Sequence, residues 1–331
     1  MSPTEAKAPA SARAHALHRA SFGCDAPWHA QASGRVNLIG DHIDYAGGTV
    51  LPMALHAATH ACASPSDEDR FASEWDGDRE WTRYAAGVLA ELRAAGVRVG
   101  PLAVSVASDV PVGAGLSSSA ALEVAVARVA LAGAGASMPA DRLALLCQRA
   151  EHVHAGTPCG IMDQWCVAHA APGEAIALDC GTLAWRRVAL PAALSLEIVD
   201  SGVRHRLRDG GYASRRASVE EAARLLGVDR LAALPPSRWH EIDALPAPIA
   251  RRARHVVREH RRVLDAVEAV VRGDLARFGA LMTESHASLR DDFDVSVPEL
   301  DAIVAGALAS GALGARLTGG GFGGSAIVAR A

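Results

Sequence analysis

The chain has 331 residues, half of them apolar, with a formal net charge of −4. That length predicts about two domains, the composition excludes a disordered chain, and the mildly acidic balance gives a nucleic-acid partner no footing. Lysine excludes more: of 33 basic residues only Lys7 is a lysine, so a Walker A loop, a protein-kinase strand lysine and a pyridoxal Schiff base have none to use within the fold. Any phosphate must be held by backbone N–H groups, arginine and a metal ion.

Residues 1–20 read as a poorly ordered leader. They lack the apolar run of a signal peptide, and no stretch approaches the ~20 apolar residues of a membrane span. No membrane partner and a cytoplasmic location are expected. Arg35–Ile39 reads as a short strand, Gly47-Gly48 as a turn, and Thr49–Leu55 as a second strand. The polar stretch Pro65–Glu80 reads as a loop or exposed hairpin. Helical spacing of Trp81, Tyr84, Val88 and Leu92 predicts a helix over Glu80–Ala95, stopped by Gly96. A strand at Leu102–Val106 leads into a Gly/Ser loop and an apolar helix from Ala120. Another helix covers Ala140–His154. Strands follow at Ala175–Leu178, Ala184–Leu190 and Leu194–Val199. Helices are expected at Val219–Leu226, Ile249–Arg272, Leu275–Leu289 and Val297–Ala309. Gly314–Thr318 enters a second Gly-rich loop, and Ser325–Ala329 is a closing strand. Interleaved strands and helices argue for an α/β or α+β protein, divided into residues 21–190 and 191–331.

Six scattered cysteines form no C-x-x-C pair, and no H-E-x-x-H is present. They read as reduced thiols, and local spacing gives no reason to expect zinc. The basic run Arg251–Arg262 carries an apolar stripe and reads as a solvated helix face.

Four segments carry chemistry. In Val110–Ala121, Gly113 and Gly115 turn the backbone tightly before a helix, which collects N–H groups for anionic oxygens. Ser117, Ser118 and Ser119 add hydroxyls that reach phosphate or Mg²⁺. In Leu317–Ser325, five glycines lie within six positions, a costly choice in chain entropy. It suits backbone that approaches a ligand or another loop closely. In Gly34–Pro52, Arg35, Asp41, His42 and Asp44 crowd a strand–turn and suit a polyhydroxylated ligand, with a carboxylate–His metal site as the rival reading. In Ala150–Gln164, Asp163 sits beside Ile161 and Met162 and needs a partner such as Arg35. Glu151, on the preceding helix, is a candidate cation ligand. His152 and His154 do not share a helix face and read as structural.

Together these segments resemble the GHMP small-molecule kinases and, within them, the galactokinases. Gly34–Pro52 is similar to the galactokinase signature, Val110–Ala121 to the family's phosphate-binding motif 2, and Leu317–Ser325 to motif 3. Cys159–Gln164, Val203–Arg216 and Ala253–Leu300 are also galactokinase-like. The resemblance implies a ribosomal-protein-S5-domain-2-like N-terminal domain and a ferredoxin-like C-terminal domain. ATP and sugar would meet in the cleft between them. It implies phosphoryl transfer from ATP to a sugar C1 hydroxyl, with Mg²⁺; a monomer or weak dimer is expected. Asp163 is then the base or orienter, and Arg35 keeps it ionised and stabilises the transferred group. Asp41, His42, Asp44, Gly160, Asp163 and Tyr212 fall to the sugar. Gly113, Gly115, the serines, Gly320 and Gly321 fall to ATP. Ser118 or Ser119 falls with Glu151 to the metal. Asp41, Ile43 and Ala46 stand where the signature carries Glu, Thr and Asn, so a shifted sugar preference is one expectation. A different monosaccharide kinase (for galacturonate, arabinose or a C6-modified galactose) and a non-enzymatic sugar and ATP sensor are the alternatives.

Overall fold

The computed structural model describes residues 8–75, 79–204 and 210–331; Lys7 and positions 205–209 of the Val203–Arg216 stretch lie outside that description. The expected leader is corrected at once, because Ala10–Phe22 form helix α1. Ala10, Ala14 and His18 recur every fourth residue and are buried, so one narrow face docks. The His18 nitrogens lie 3.1 and 2.9 Å from the hydroxyls of Ser105 and Ser64. Arg13 pairs with Glu74 at 2.8 Å. This face is made of small and polar residues, which hydropathy patterning does not register.

The larger sheet has seven strands: β1 (Trp28–Asn37), β2 (Thr49–Val50), β3 (Pro52–Pro65), β4 (Arg70–Ser73), β5 (Leu102–Ser108), β6 (Ala175–Asp179) and β7 (Trp185–Val188). The order is β2-β6-β3-β5-β4, with β1 on β3 and β7 on β6. Strands β1 and β3 outrun their predicted bounds because they form one long antiparallel ladder, Trp28↔Ala63 to Asn37↔Pro52. Strand β4 falls in the stretch expected to be a loop or hairpin. It pairs parallel to β5, a partner distant in sequence that no local pattern announces.

Helix α3 (Ser118–Gly133) lies against β1 and β3, with α2 (Trp81–Ala94), α4 (Ala140–Ala150) and α5 (Met162–His169) beside it. A helix buried on every side must be apolar all round, and α3 is, apart from its first-turn serines, Glu123 and Arg128. The smaller sheet has the order β8-β10-β9 and is antiparallel: β8 (Ser195–Asp200), β9 (Gly314–Thr318) and β10 (Ser325–Arg330). Helices α8 (Leu275–Asp291) and α9 (Pro298–Ala309) pack on it. Helix α7 (Ala247–Arg272) touches β2 and β7 of the larger sheet and packs on α8, α6 (Gly211–Leu225) lies against α7, and one apolar cluster joins Val36 and Leu178 to Leu317 and Ile327.

The basic run on α7 is not simply a solvated face. His255 and Glu259 are fully buried, because α7 passes beneath the loop after β1. Glu259 accepts from the Gly40 N–H at 3.1 Å and pairs with Arg262 at 2.7 Å. Burial pushes this carboxyl up, but Arg262 overrides it and holds Glu259 near about 2. Among the described residues no helix is long and apolar enough to cross a membrane.

Candidate active site

The register between β1 and β3 shifts between Ser33 and Arg35, where two steps on β1 face four on β3. Gly34 sits at this irregularity. A Cβ there would lie 2.9 Å from the Leu116 carbonyl oxygen, so only glycine lets β1 touch the 110–117 loop. The Arg35 N–H donates to that same Leu116 oxygen at 3.1 Å. Such shifts re-aim side chains, and here the Arg35 side chain is aimed inward. Its Nε donates to Asp163 Oδ1 at 2.8 Å, and Nη1 donates to the Gly115 carbonyl at 2.6 Å. Burial pulls the Arg35 guanidinium down, but Asp163 and Asp41 more than offset it and keep it charged.

Asp163 sits in the first turn of α5, where the helix dipole favours a carboxylate. Its other oxygen accepts from the Ser117 hydroxyl at 2.5 Å. Ser117 has φ +56°, a left-handed conformation that costs a non-glycine residue energy and clusters at functional sites. The loop thus spends strain to bring one hydroxyl onto Asp163 while α3 starts at the next residue.

Next to this arrangement α4 runs into a π-turn, Glu151–Ala155, a distortion found mostly at functional positions. It turns Glu151 inward, 4% exposed. Gln164 Nε2 donates to both Glu151 Oε2 and Glu123 Oε2, at 2.6 and 3.0 Å, and the nearby Ser119 hydroxyl pulls the Glu151 carboxyl down a little. Glu123 Oε1 and Gln164 Oε1 have no partner among the described residues. Burial, then the Asp163 charge, push Glu151 up to about 7. Burial, then Glu151, hold Glu123 well above the usual carboxylate range. The sequence had shown Glu123 only as a break in an apolar helix; that isolation was the available signal.

The second Gly-rich loop closes on the first. A Cβ on Gly319 would lie 2.9 Å from Gly115 Cα, and one on Gly115 would lie 2.9 Å from the Thr318 oxygen. The glycines are therefore explained first by backbone packed on backbone. Asp41 is bound into this contact: Oδ1 accepts from the Gly319 N–H at 3.0 Å, and Oδ2 pairs with Arg316 at 2.5 Å. Burial pushes the Asp41 carboxyl up against the pull of Arg316 and Arg35. Arg316 was not anticipated, although a charged residue inside a fully buried five-residue strand was legible.

His42 bridges Tyr45 Oη and the Gly320 carbonyl, each at 3.1 Å. Burial drives its pKa down to about 3, so it is a neutral ring. Asp44 stands against Gly160, where a Cβ would sit 1.7 Å from Asp44 Oδ2. Burial, then Asp163, push Asp44 up to about 7. Tyr212 packs on the rings of His42 and Tyr45 at 5.4 and 5.8 Å. Ile43 and Ala46 point into the apolar core instead, so of the three departures from the signature only Asp41 faces the site.

All fifteen predicted site residues line one cavity of about 500 Å³: Arg35, Asp41, His42, Asp44, Gly113, Gly115, Ser117, Ser118, Ser119, Glu151, Gly160, Asp163, Tyr212, Gly320 and Gly321. That is the size of a small-molecule site. Trp75, Trp81 and Tyr84 line it too. In the sequence Trp81 and Tyr84 stand out only as apolar residues at helical spacing in α2. The signal was their clustering with Trp75 in a chain that is only 4% aromatic.

The family models match in chain order: the galactokinase galactose-binding signature over residues 16–65, the GHMP kinase N-terminal domain over 83–170 and the GHMP kinase C-terminal domain over 266–329. The galactokinase of Streptomyces coelicolor is 46% identical, with 90% of this chain and 83% of that protein covered. The human galactokinase is 41% identical, with 96% and 87% covered. Among solved structures, the Lactococcus lactis galactokinase complexed with galactose superposes with a TM-score of 0.89 at 31% identity, covering 97% of this chain and 90% of that one. The mevalonate kinase of L. major, at 22% identity and a TM-score of 0.67, shares the fold. The architecture is the two-domain, mixed α/β GHMP kinase fold. With this fold, these motifs and these identities, the chain belongs to the galactokinase family of the GHMP kinases.

Proposed function

We propose that the chain transfers the γ-phosphoryl group of ATP to the C1 hydroxyl of galactose, giving galactose 1-phosphate and ADP. The observation that carries this reading is the Arg35–Asp163–Ser117 constellation, seated where the 41–44 loop meets the two glycine loops. Asp44, Gly160, His42 and Tyr212 form the sugar end. Gly113, Gly115, Gly320 and Gly321 form the phosphate end. Trp75, Trp81 and Tyr84 offer flat faces for the nucleotide base.

Phosphoryl transfer passes through a loose transition state, so positioning and charge neutralisation outweigh proton abstraction. Asp163 orients the C1 hydroxyl and accepts its proton late. Arg35, fixed by Gly115 and Asp163, meets the charge that builds on the transferred group. Ser117 holds the second oxygen of Asp163, so the carboxylate cannot rotate away.

The donors beside this constellation fit Mg²⁺. It is commonly held by one or two carboxylates completed by phosphate oxygens. Burial raises both acids, Glu151 raises Glu123 further and Asp163 raises Glu151, and two side-chain oxygens have no partner among the described residues. Glu151 with Ser118 or Ser119, which line the cavity beside it, would hold the ion. When bound, Mg²⁺ neutralises phosphate charge.

Asp41 favours a second reading, a kinase for a related monosaccharide. Its carboxylate is committed to Arg316 and Gly319, which leaves the distal end of the sugar less tightly specified. We take the protein to be a cytoplasmic monomer or weak dimer, divided near residue 190. ADP release measured across galactose, C6-modified galactoses, arabinose and galacturonate tests the function. Galactose turnover supports it. Strict preference for another sugar moves the chain to the second reading, and no ADP release with any sugar leaves the sensor.

A further inference from the structure

Three side chains outside the cavity converge on one point. His15 comes from α1, His29 from β1 and Cys62 from β3, and one ligand atom from each lies within 4.8 Å of the others. It is the one such group of histidine, cysteine and acid ligands among the described residues. His29 and Cys62 are direct cross-strand partners, which places their side chains on one face. His15 reaches them from the helix laid over that face, its ring centroid 5.3 Å from that of His29. His60 stands behind, its Nδ1 3.0 Å from His29 Nε2.

We propose that His15, His29 and Cys62 form a binding site for a zinc-like transition-metal ion, separate from the phosphoryl-transfer site. Two imidazoles and a thiolate are the donor chemistry of zinc. Zinc–nitrogen bonds of ~2.0–2.1 Å and a zinc–sulfur bond of ~2.3 Å place tetrahedral ligands roughly 3.3–3.7 Å apart. Small side-chain shifts therefore close the site. Water takes the fourth position. His60 holds the second nitrogen of His29, as outer partners of metal-bound histidines do.

Cys62 is fully buried in a pocket of alanines, Ala10, Ala14 and Ala107. Burial holds its thiol up at about 11, which opposes the thiolate, so a metal must displace that proton. On binding, the Cys62 S–H bond breaks, its proton goes to solvent, and the sulfur electron pair bonds the metal; no redox change is involved. Local spacing could not show this site, because its ligands come from three elements.

His29 is six residues from Arg35 on the same strand, roughly 20 Å at ~3.3 Å per residue. Metal there pins α1 to β1 and β3 without touching catalysis. The experiment uses the full chain, stripped with chelator, dialysed against limiting zinc and counted by atomic emission, with cobalt as a spectroscopic probe. The expected result is about one zinc per chain, a cobalt–thiolate charge-transfer band and a zinc-dependent rise in Tm. His29→Gln, at an exposed position, and Cys62→Ser should each abolish zinc retention and the band while leaving sugar-kinase turnover unchanged. His60→Ala should weaken zinc binding about 10–100-fold. Failure of the wild type to retain zinc overturns the proposal. So does zinc retained equally by both ligand variants, which would place it elsewhere.

Discussion

Asp41 and Asp163 each face a guanidinium across the cavity wall, whereas Asp44, Glu123 and Glu151 have no arginine ion pair among the described residues. The pairing with Arg316 and Arg35 makes the first set parts of the fold: each carboxylate is held on both oxygens before any ligand arrives. The second set carries the unanswered costs of burial. Asp44 and Glu151 are pushed up to about 7, and Glu123 higher than the usual range. A buried acid without a positive partner is expensive. Asp44 and Glu151 line the cavity, where the proposed ligands would supply hydroxyl donors to Asp44 and a cation to Glu151, and Glu123 lies behind Glu151, joined to it through Gln164. Pre-paired acids thus set geometry, and unpaired acids set ligand demand.

Removing a member of the paired set should do the most damage. Asp163→Ala is expected to cut kcat by about 10³-fold or more, in the range of a lost acid–base group, while ATP still binds by calorimetry. Near-normal turnover would remove Asp163 from the mechanism. Arg316→Met leaves Asp41 buried and uncompensated. It should cost about 3–5 kcal/mol of stability in denaturant unfolding. A loss well below 1 kcal/mol would mean that the pair is dispensable to the fold.

Removing a member of the unpaired set should do the reverse. Glu123 binds a proton more tightly folded than unfolded, where its ordinary value is 4.5. Folding therefore takes up a proton above that pH, and the penalty grows as pH rises. Glu123→Gln is expected to stabilise metal-free protein by about 1–3 kcal/mol at neutral pH, with the gain vanishing toward pH 4. An equal Tm difference at both pH values would show that ionising the buried Glu123 is not the cause. The smallest effect concerns Asp44. With its pKa near about 7, it loses its charge as pH falls through neutrality, and sugar hydroxyls lose an ionised acceptor. The galactose KM should rise a few-fold, on the order of one hydrogen bond to a charged group, between pH 8 and pH 6. Asp44→Asn should flatten that profile; an unchanged slope would point to another group.

Much of this was readable in the chain, because loop chemistry is local. The glycines at 113, 115, 319–321, 323 and 324 signalled close backbone approach, and the structure puts Gly115 against Gly319. Helices α7, α8 and α9 followed from periodicity. What escaped notice was non-local or atypically patterned. Helix α1 docks through two alanines and a histidine. Strand β4 is defined by a parallel neighbour about thirty residues on. Glu123 looked like an interruption until Gln164 and Glu151 stood beside it. Ile43 and Ala46 looked like specificity determinants until their side chains proved to face the core.

By itself the sequence determined the chemical vocabulary: a phosphate site without lysine, built from glycine backbone, serine hydroxyls and Arg35, and a carboxylate-rich loop for a sugar. Backbone freedom and side-chain chemistry are properties of the residues themselves, and the chain carries them wherever it folds. Only the tertiary structure decided which acid meets which arginine. Arg316 reaches Asp41 across 275 positions and Arg35 reaches Asp163 across 128. Burial and neighbouring charge, which set the protonation of every acid in the cavity, exist only once those distant segments have packed.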